Sequence, residues 1–289
     1  MALDLGAILT AMVTPFDTGG ALDEGAAVRL MEDLLEHGSD GLVLCGTTGE
    51  APTLSDEEKL RLVRLGVEEI KPAHPQATIV AGVGHNDTRH TVELTERVTG
   101  LRPDALLVVN PYYNKPSRRG IVRHFQEVAE ATDLPIVLYN IPQRTSQDMS
   151  NDLLEELAQI DHIEAVKQAN PDNLAKLDGL SIYAGNDDML ADVLDMGEPG
   201  GVLVASHLVG EEMHQMVDEP ERRREIDEGL RDVYRDLAVA PLACSVKAAL
   251  RLMGIEVGAP RLPYVELDEA ELKTVRRLLE RRGLLATAA

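Results

Sequence analysis

Short, nearly continuous apolar runs alternate along this chain with longer segments whose apolar residues recur at helical spacing. The runs are Ile8–Val13, Gly41–Leu44, Thr78–Ala81, Ala105–Val109, Ile136–Tyr139, Ile163–Val166, Ser181–Ala184 and Gly201–Val204. Apolarity on both faces is what strands buried in a parallel sheet require, because neither face meets water. The intervening segments carry helix signals. Ser55-Asp56-Glu57-Glu58 reads as a capping box that opens a helix toward Ile70. Thr88 is placed to cap the stretch to Thr99, with Gly100 as its C-cap glycine, and Ser150 opens a helix through Leu157. Eight strand–helix units predict an α/β protein built as a closed (β/α)8 TIM barrel rather than an open doubly wound sheet. Gly82-Val83-Gly84 follows a strand, but Asp87 stands where a dinucleotide fingerprint needs its third glycine, so that reading is dropped.

Residues 205–289 are too many for a single barrel helix. Glu211–Val239, Pro241–Met253 and Asp268–Arg282 read as three helical stretches, which divides the chain into a barrel, 1–210, and a C-terminal helical region packed on it, 211–289. Arg222-Arg223-Arg224 lies among glutamates and reads as a solvated helix face.

Composition narrows the function. Hydrophobic residues make up 44% of the 289, Trp is absent and aromatics are only 3%, so aliphatic side chains must fill the core. The net charge of −22 repels nucleic acid and anionic membranes, and neither is an expected partner. Cys45 and Cys244 offer no disulfide framework and no zinc spacing, and each reads as a small buried side chain in a reducing compartment. The N-terminus lacks a signal-peptide pattern, and no apolar stretch is long enough to span a bilayer. These features predict a cytoplasmic protein. The eight histidines form no His-x-x-x-His pair or carboxylate cluster, so no metal is expected.

In a (β/α)8 barrel, chemistry collects where the strands end at their C-terminal side. Strand two ends in Gly46-Thr47-Thr48-Gly49-Glu50, which reads either as a carboxylate-binding turn or as an ordinary one. Strand five ends in Tyr139, a proton relay or a core tyrosine, and leads to Arg144, a carboxylate fork or a surface ion pair. Strand seven ends in Gly185-Asn186-Asp187, with Asn186 and Asp187 most simply turn formers, and strand eight ends near Leu203. Strand six ends in Lys167, which either closes the strand in solvent or, desolvated and neutral, acts as a nucleophile toward a carbonyl.

Taken in order, Gly46-Thr47-Thr48-Gly49-Glu50, Pro111-Tyr112-Tyr113-Asn114-Lys115-Pro116, Tyr139-Asn140-Ile141-Pro142, Val166-Lys167 and Arg261-Leu262-Pro263 resemble the dihydrodipicolinate synthase / N-acetylneuraminate lyase family. The match runs from about Gly6 to Leu285, nearly the whole chain. The resemblance implies a Schiff-base-forming lyase of the class I aldolase type, needing no cofactor, and a homotetramer arranged as a dimer of dimers. It implies Lys167 as the imine lysine, Tyr139 and Thr47 as the proton relay, and Thr48 as the binder of the pyruvate carboxylate. Tyr113 matches the tyrosine that reaches into a neighbouring subunit's relay, while Leu203 and Gly185 take substrate-lining positions. Arg144 is similar to the synthase branch, where it holds the carboxylate of aspartate semialdehyde. That branch condenses pyruvate with the semialdehyde on the diaminopimelate route to lysine.

Two departures bear on substrate preference: Ser146 where the branch usually has glycine, and Gln168 where glutamate commonly follows the lysine. The rival readings are a pyruvate-dependent aldolase acting on a sugar acid or hydroxy-oxo acid, which Arg144 argues against, and a non-catalytic binding paralogue, which the intact Lys167, Tyr139 and Thr47 argue against. In members of the family that lysine inhibits, the effector is held by an asparagine, a glutamate, a tyrosine and histidines. Asn86 and Tyr112 are retained, but Asp56 and Lys59 replace the histidines and His90 replaces the glutamate, which implies weak feedback by lysine.

Overall fold

A computed structural model describes residues 3–285. Eight parallel strands close into a barrel in chain order. They are β1 (Ile8–Ala11), β2 (Gly41–Leu44), β3 (Thr78–Gly82), β4 (Ala105–Val109), β5 (Ile136–Asn140), β6 (Ile163–Gln168), β7 (Ser181–Ala184) and β8 (Gly200–Leu203). The expected (β/α)8 architecture is therefore present. Branched aliphatic side chains populate the strands because both faces are covered, and every position of β2, β5 and β8 is buried. Leu9 opposite Val202 and Thr10 opposite Leu203 form the closing seam. At Gly200 a Cβ would stand 2.0 Å from the Ala7 carbonyl oxygen, so a side chain there would hold β8 away from β1.

β6 extends through Gln168, which places Lys167 inside the strand, opposite Tyr139 of β5, rather than after it. The ladder needs only backbone N–H and C=O groups and is indifferent to the charge on the side chain. The strand ended in sequence where the apolar run stopped; the hydrogen bonding runs two residues further.

Helix Asp56–Leu65 opens on the predicted capping box: Ser55 Oγ accepts from the Glu58 N–H at 3.3 Å and the Glu58 carboxylate accepts from the Ser55 N–H at 2.9 Å. The helix Thr88–Thr99 is capped differently from expectation. Asp87 Oδ1 accepts from the Arg89 N–H at 3.0 Å, while the Thr88 hydroxyl, already within the helix, lies 3.0 Å from His124 Nδ1. A carboxylate at that position also complements the positive helix end, which a hydroxyl does not. Gly100 follows this helix at φ −60°, so the left-handed turn falls instead at Arg102, φ 60°.

The stretch Glu211–Val239 is two helices, Ser206–Asp218 and Arg223–Leu237. Pro220 explains the break, because its ring disfavours the helical conformation at Glu219, which sits at φ −120°, ψ 70°. The arginine run is only partly a solvated face. Arg222 is exposed, but Arg223 is buried, donating to the Met216 carbonyl at 2.9 Å and pairing with Asp195 at 2.6 Å. Its guanidinium thus ties the end of one helix to another, which no run of like charges reveals. The helices Leu242–Leu252 and Glu269–Arg282 add Val246, Leu250, Val275, Leu278 and Leu279 to the core shared with the barrel. We propose on this ground that the described part of 211–289 packs as a helical region on the described part of a barrel spanning 1–210, residues 1–2 and 286–289 lying outside the described residues, with the helix Ser206–Asp218 running through the boundary. Among the described residues, no helix is long and apolar enough to cross a membrane.

Candidate active site

The turn after β2 is shaped by two residues in the left-handed region, Cys45 and Glu50, both at φ 58°. Such conformations cost about 1–3 kcal/mol each for non-glycine residues and persist only where surroundings enforce them. Here a buried ion pair does so. Glu50 Oε1 lies 2.6 Å from Lys247 Nζ, with the two side chains 0% and 1% exposed, and Glu50 Oε2 accepts from the Arg261 N–H at 2.8 Å. Within the turn, the Glu50 and Ala51 N–H groups donate to the Thr47 and Gly46 carbonyls, and Thr14 Oγ1 donates to the Gly49 carbonyl at 2.7 Å. A Cβ on Gly49 would come within 3.0 Å of the Met12 carbonyl oxygen, which is why this turn closes on a glycine. Thr47 is thereby held half-buried at the barrel mouth, while Thr48 is buried.

Thr47, Tyr139 and Arg144 share the wall of a cavity of about 600 Å³ at the C-terminal mouth, together with Tyr112 and Tyr264. Burial pushes the Tyr139 phenol up to about 12; the Arg144 charge and a hydrogen bond with the Thr47 side chain oppose it. The phenol is therefore protonated at neutral pH. Lys167 is not on the cavity wall. It is 5% exposed, and its Nζ stands 4.5 Å from the centroid of the Tyr139 ring. Burial pulls its ammonium down to about 7, with the Arg144 charge acting in the same direction and Asp187 against it. A large share of this amine is neutral at pH 7, which a solvated lysine never is.

Arg144 lies in the last turn of the short helix Pro142–Thr145 and is exposed; among the described residues no carboxylate forms an ion pair with it. The following residue, Ser146, sits at φ 57°, ψ 23°. That conformation favours glycine, which accounts for Ser146 as an unusual residue there and places its strain next to Arg144. Gln168 alternates away from Lys167: its Oε1 accepts from Asn140 Nδ2 at 3.1 Å and from the Asn170 N–H at 3.0 Å.

The remaining predicted positions are more scattered. Leu203 is fully buried at the end of β8, and Gly185 borders a separate cavity of about 400 Å³. Tyr113, at φ 73°, is 88% exposed and outside the mouth cavity of this chain. Asp56, Lys59 and His90 do line that cavity. Asp56 is already engaged, 2.9 Å from His90 Nε2 and 3.5 Å from Lys59 Nζ; burial raises its pKa, but these two partners outweigh it and hold the carboxyl below its usual range. Three features were missed in sequence. Glu50–Lys247 joins residues far apart in the chain, Tyr264 reaches the mouth from the C-terminal region, and Asp187, which does open a tight 3-10 turn after Asn186, also accepts the Val204 and Ala205 N–H groups. Only the charge of Glu50 inside an otherwise small, neutral motif signals any of them. Among the described residues, no cluster of three or more His, Cys, Asp or Glu has the arrangement to hold a metal ion.

Comparisons with known proteins extend over nearly the whole chain. Residues 4–282 match the model of the dihydrodipicolinate synthetase family. A 4-hydroxy-tetrahydrodipicolinate synthase of Desulforudis audaxviator is 42% identical, the alignment covering 99% of this chain and 100% of the relative. Among solved structures, the enzyme of Cyanidioschyzon merolae with lysine bound superposes with a TM-score of 0.92 at 35% identity, covering 97% and 99% of the two chains. The chloride-inhibited enzyme of Acinetobacter baumannii complexed with pyruvate superposes at 0.91 with 32% identity, covering 97% and 100%. A barrel whose mouth carries the Gly-Thr-Thr-Gly-Glu turn, Tyr139 and a buried Lys167, matched over this length, belongs to the dihydrodipicolinate synthetase family.

Proposed function

We infer that this chain is a lyase with the activity of a 4-hydroxy-tetrahydrodipicolinate synthase, condensing pyruvate with aspartate semialdehyde through a lysine imine. The observation that carries the assignment of residues is Lys167: buried, about half neutral near pH 7, and packed on Tyr139. Its nitrogen lone pair forms a bond to the keto carbon of pyruvate, and the carbonyl oxygen leaves as water to give an iminium. Loss of a C3 proton to the Tyr139–Thr47 relay yields an enamine, whose C3 bonds to the aldehyde carbon of the second substrate, the new alkoxide taking a proton. The amine of that substrate then adds to the imine carbon and expels Lys167, closing the ring. Thr48 is the proposed partner of the pyruvate carboxylate; Leu203 and Gly185 are proposed as substrate-lining positions on the resemblance alone, since Leu203 is buried and Gly185 borders a separate cavity. A panel of aldehydes offered with pyruvate tests the reading: ring formation with aspartate semialdehyde alone is expected, and preferential turnover of a sugar acid would overturn it.

Arg144 is the proposed fork for the semialdehyde carboxylate, a role supported by its cavity-facing position without an ion-pair partner among the described residues. Arg144→Ala is expected to leave borohydride capture of pyruvate nearly intact. Losing a charge-assisted bond of roughly 1.5–3 kcal/mol lowers kcat/KM for the semialdehyde by about one to two decades. Equal kcat/KM in mutant and parent would remove the residue from substrate recognition.

Lysine is expected to inhibit poorly. Any ammonium arriving at this cavity meets Lys59 as a like charge and finds Asp56 already bonded to His90. A lysine titration of initial rates measures this, and half-inhibition below a millimolar would show that the site still accepts the effector. We further propose a homotetramer, for which the exposed Tyr113 supplies an aromatic contact, and a reducing, cytoplasmic setting, which suits two buried free cysteines.

A further inference from the structure

Arg144 owes its place to the loop that follows it. The helix Pro142–Thr145 stops at Ser146, whose φ of 57° turns the chain aside. In an unbroken helix the carboxylate of Asp148, four residues on, would lie beside the Arg144 guanidinium and pair with it. After the turn it goes elsewhere. Asp148 Oδ1 accepts from Asn140 Nδ2 at 2.9 Å and from Asn170 Nδ2 at 3.1 Å, and its Oδ2 accepts from Asn173 Nδ2 at 2.7 Å. Asn140 ends β5, while Asn170 and Asn173 belong to the tight turn that follows β6. The next residue is held by the same asparagine. The Met149 N–H donates to Asn140 Oδ1 at 3.0 Å, and the Met149 carbonyl accepts from Asn140 Nδ2 at 3.1 Å. Upstream, the Gln147 carbonyl accepts from the Thr145 hydroxyl at 2.7 Å and from Asn110 Nδ2, just beyond β4, at 3.3 Å.

The loop is thus pinned to the exits of β4, β5 and β6, and Arg144 stands at its start. Asn140 is fully buried, so the amide at the centre of this network has a fixed frame. Asp148 is exposed, and water could satisfy its oxygens in any position; what the three amides fix is its place. That place matters to Arg144 because Asp148 is the nearest acidic residue to it in the chain. With both carboxylate oxygens bonded to asparagines, the guanidinium stays open toward the cavity whose wall it forms. We propose that Asp148 is a positioning residue for the second substrate, acting through Arg144. It tethers the arginine's loop to the strand exits and keeps its own carboxylate off the guanidinium. This rests on Arg144 being the fork for the semialdehyde carboxylate.

A double-variant cycle on Arg144 and Asp148 decides between this role and a merely structural one. Asp148→Ala is expected to raise KM for aspartate semialdehyde about fivefold, with kcat within about twofold of the parent, because only the placement of the fork is disturbed. Borohydride capture of pyruvate should be unchanged. Adding Asp148→Ala to Arg144→Ala is expected to cost nothing further in kcat/KM, since a residue that acts through the guanidinium has nothing to position once it is gone. A structural role gives the opposite pattern, an additive loss in the double variant with pyruvate capture slowed as well, and either result overturns the proposal. Should Asp148→Ala lack native circular dichroism, Asn170→Ala combined with Asn173→Ala removes two of the three anchors from the other side and is read by the same cycle. Parent kcat/KM in Arg144→Ala would sink the fork itself. A large loss in Arg144→Ala with an unmoved KM in Asp148→Ala sinks the role of Asp148 alone.

Discussion

Lys167→Ala is expected to abolish capture of pyruvate by borohydride and to lower kcat by about four decades or more, the scale seen when a covalent nucleophile is removed. Peptide mapping of the reduced parent adduct should place the added mass on Lys167. Lys247 is its nearest rival by burial, but it is held at 2.6 Å from Glu50 with its stem enclosed; Lys115 is exposed. An adduct on either would overturn the assignment. The capture rate in the parent should rise through about pH 7 and level off above it, following the neutral amine. The same burial has a stability consequence of definite sign. A lysine whose folded pKa lies below its unfolded 10.5 opposes folding in full below the folded value of about 7. The penalty fades as pH rises from 7 toward 10.5. Lys167→Met should therefore raise the melting temperature most at pH 7 and below, with the gain shrinking in alkaline buffer. A more stable but inactive protein is the expected result, the usual trade between a poised site and a comfortable fold.

Breaking the Glu50–Lys247 pair is expected to have the second largest effect. Glu50→Ala leaves an ammonium at 1% exposure with only the Ala259 carbonyl at 3.3 Å and the Phe16 ring, 4.1 Å to its centroid, for company. Removing one partner of such a pair costs about 3–5 kcal/mol, which for a chain of this size corresponds to a fall in melting temperature on the order of 10 °C. The damage should also reach the substrate. Glu50 is what holds its own turn in the left-handed region and receives the Arg261 N–H, so Thr47 and Thr48 lose their support and KM for pyruvate rises. Glu50→Gln combined with Lys247→Met, which removes both charges, should recover much of the lost stability, because the penalty lies in the unpaired charge. Thermal melts of the single and double variants measure this, and additive losses in the double variant would show that the two side chains do not act as a pair.

How far these sites were legible follows from the range of the interactions that build them. The (β/α)8 barrel, the order of its strands and the capping box at Ser55 are written locally. Two-sided apolar runs have no stable alternative to a covered parallel sheet, and a cap needs only residues three apart. The residues at the strand ends were legible for the same reason, since the barrel fixes where every strand ends, and Lys167, Tyr139, Thr47 and Arg144 fall there. Other features were decided by the tertiary structure. Whether Arg223 is solvated depends on Asp195 and the Met216 carbonyl, neither of which its neighbours announce. That Asp187, besides its turn, clamps the residues after β8 depends on a strand that pairs with its own only after the barrel closes. The amine of Lys167 is ordinary in an open chain; it is the enclosure by Tyr139 and the neighbouring strands, removing water from around a charge, that lowers its pKa to about 7. Sequence by itself determined the barrel and which side chains stand at its mouth, because both follow from short-range pattern. Only the folded structure decided which of those groups are dry, paired or charged, because desolvation and ion pairing depend on residues brought together from across the whole chain.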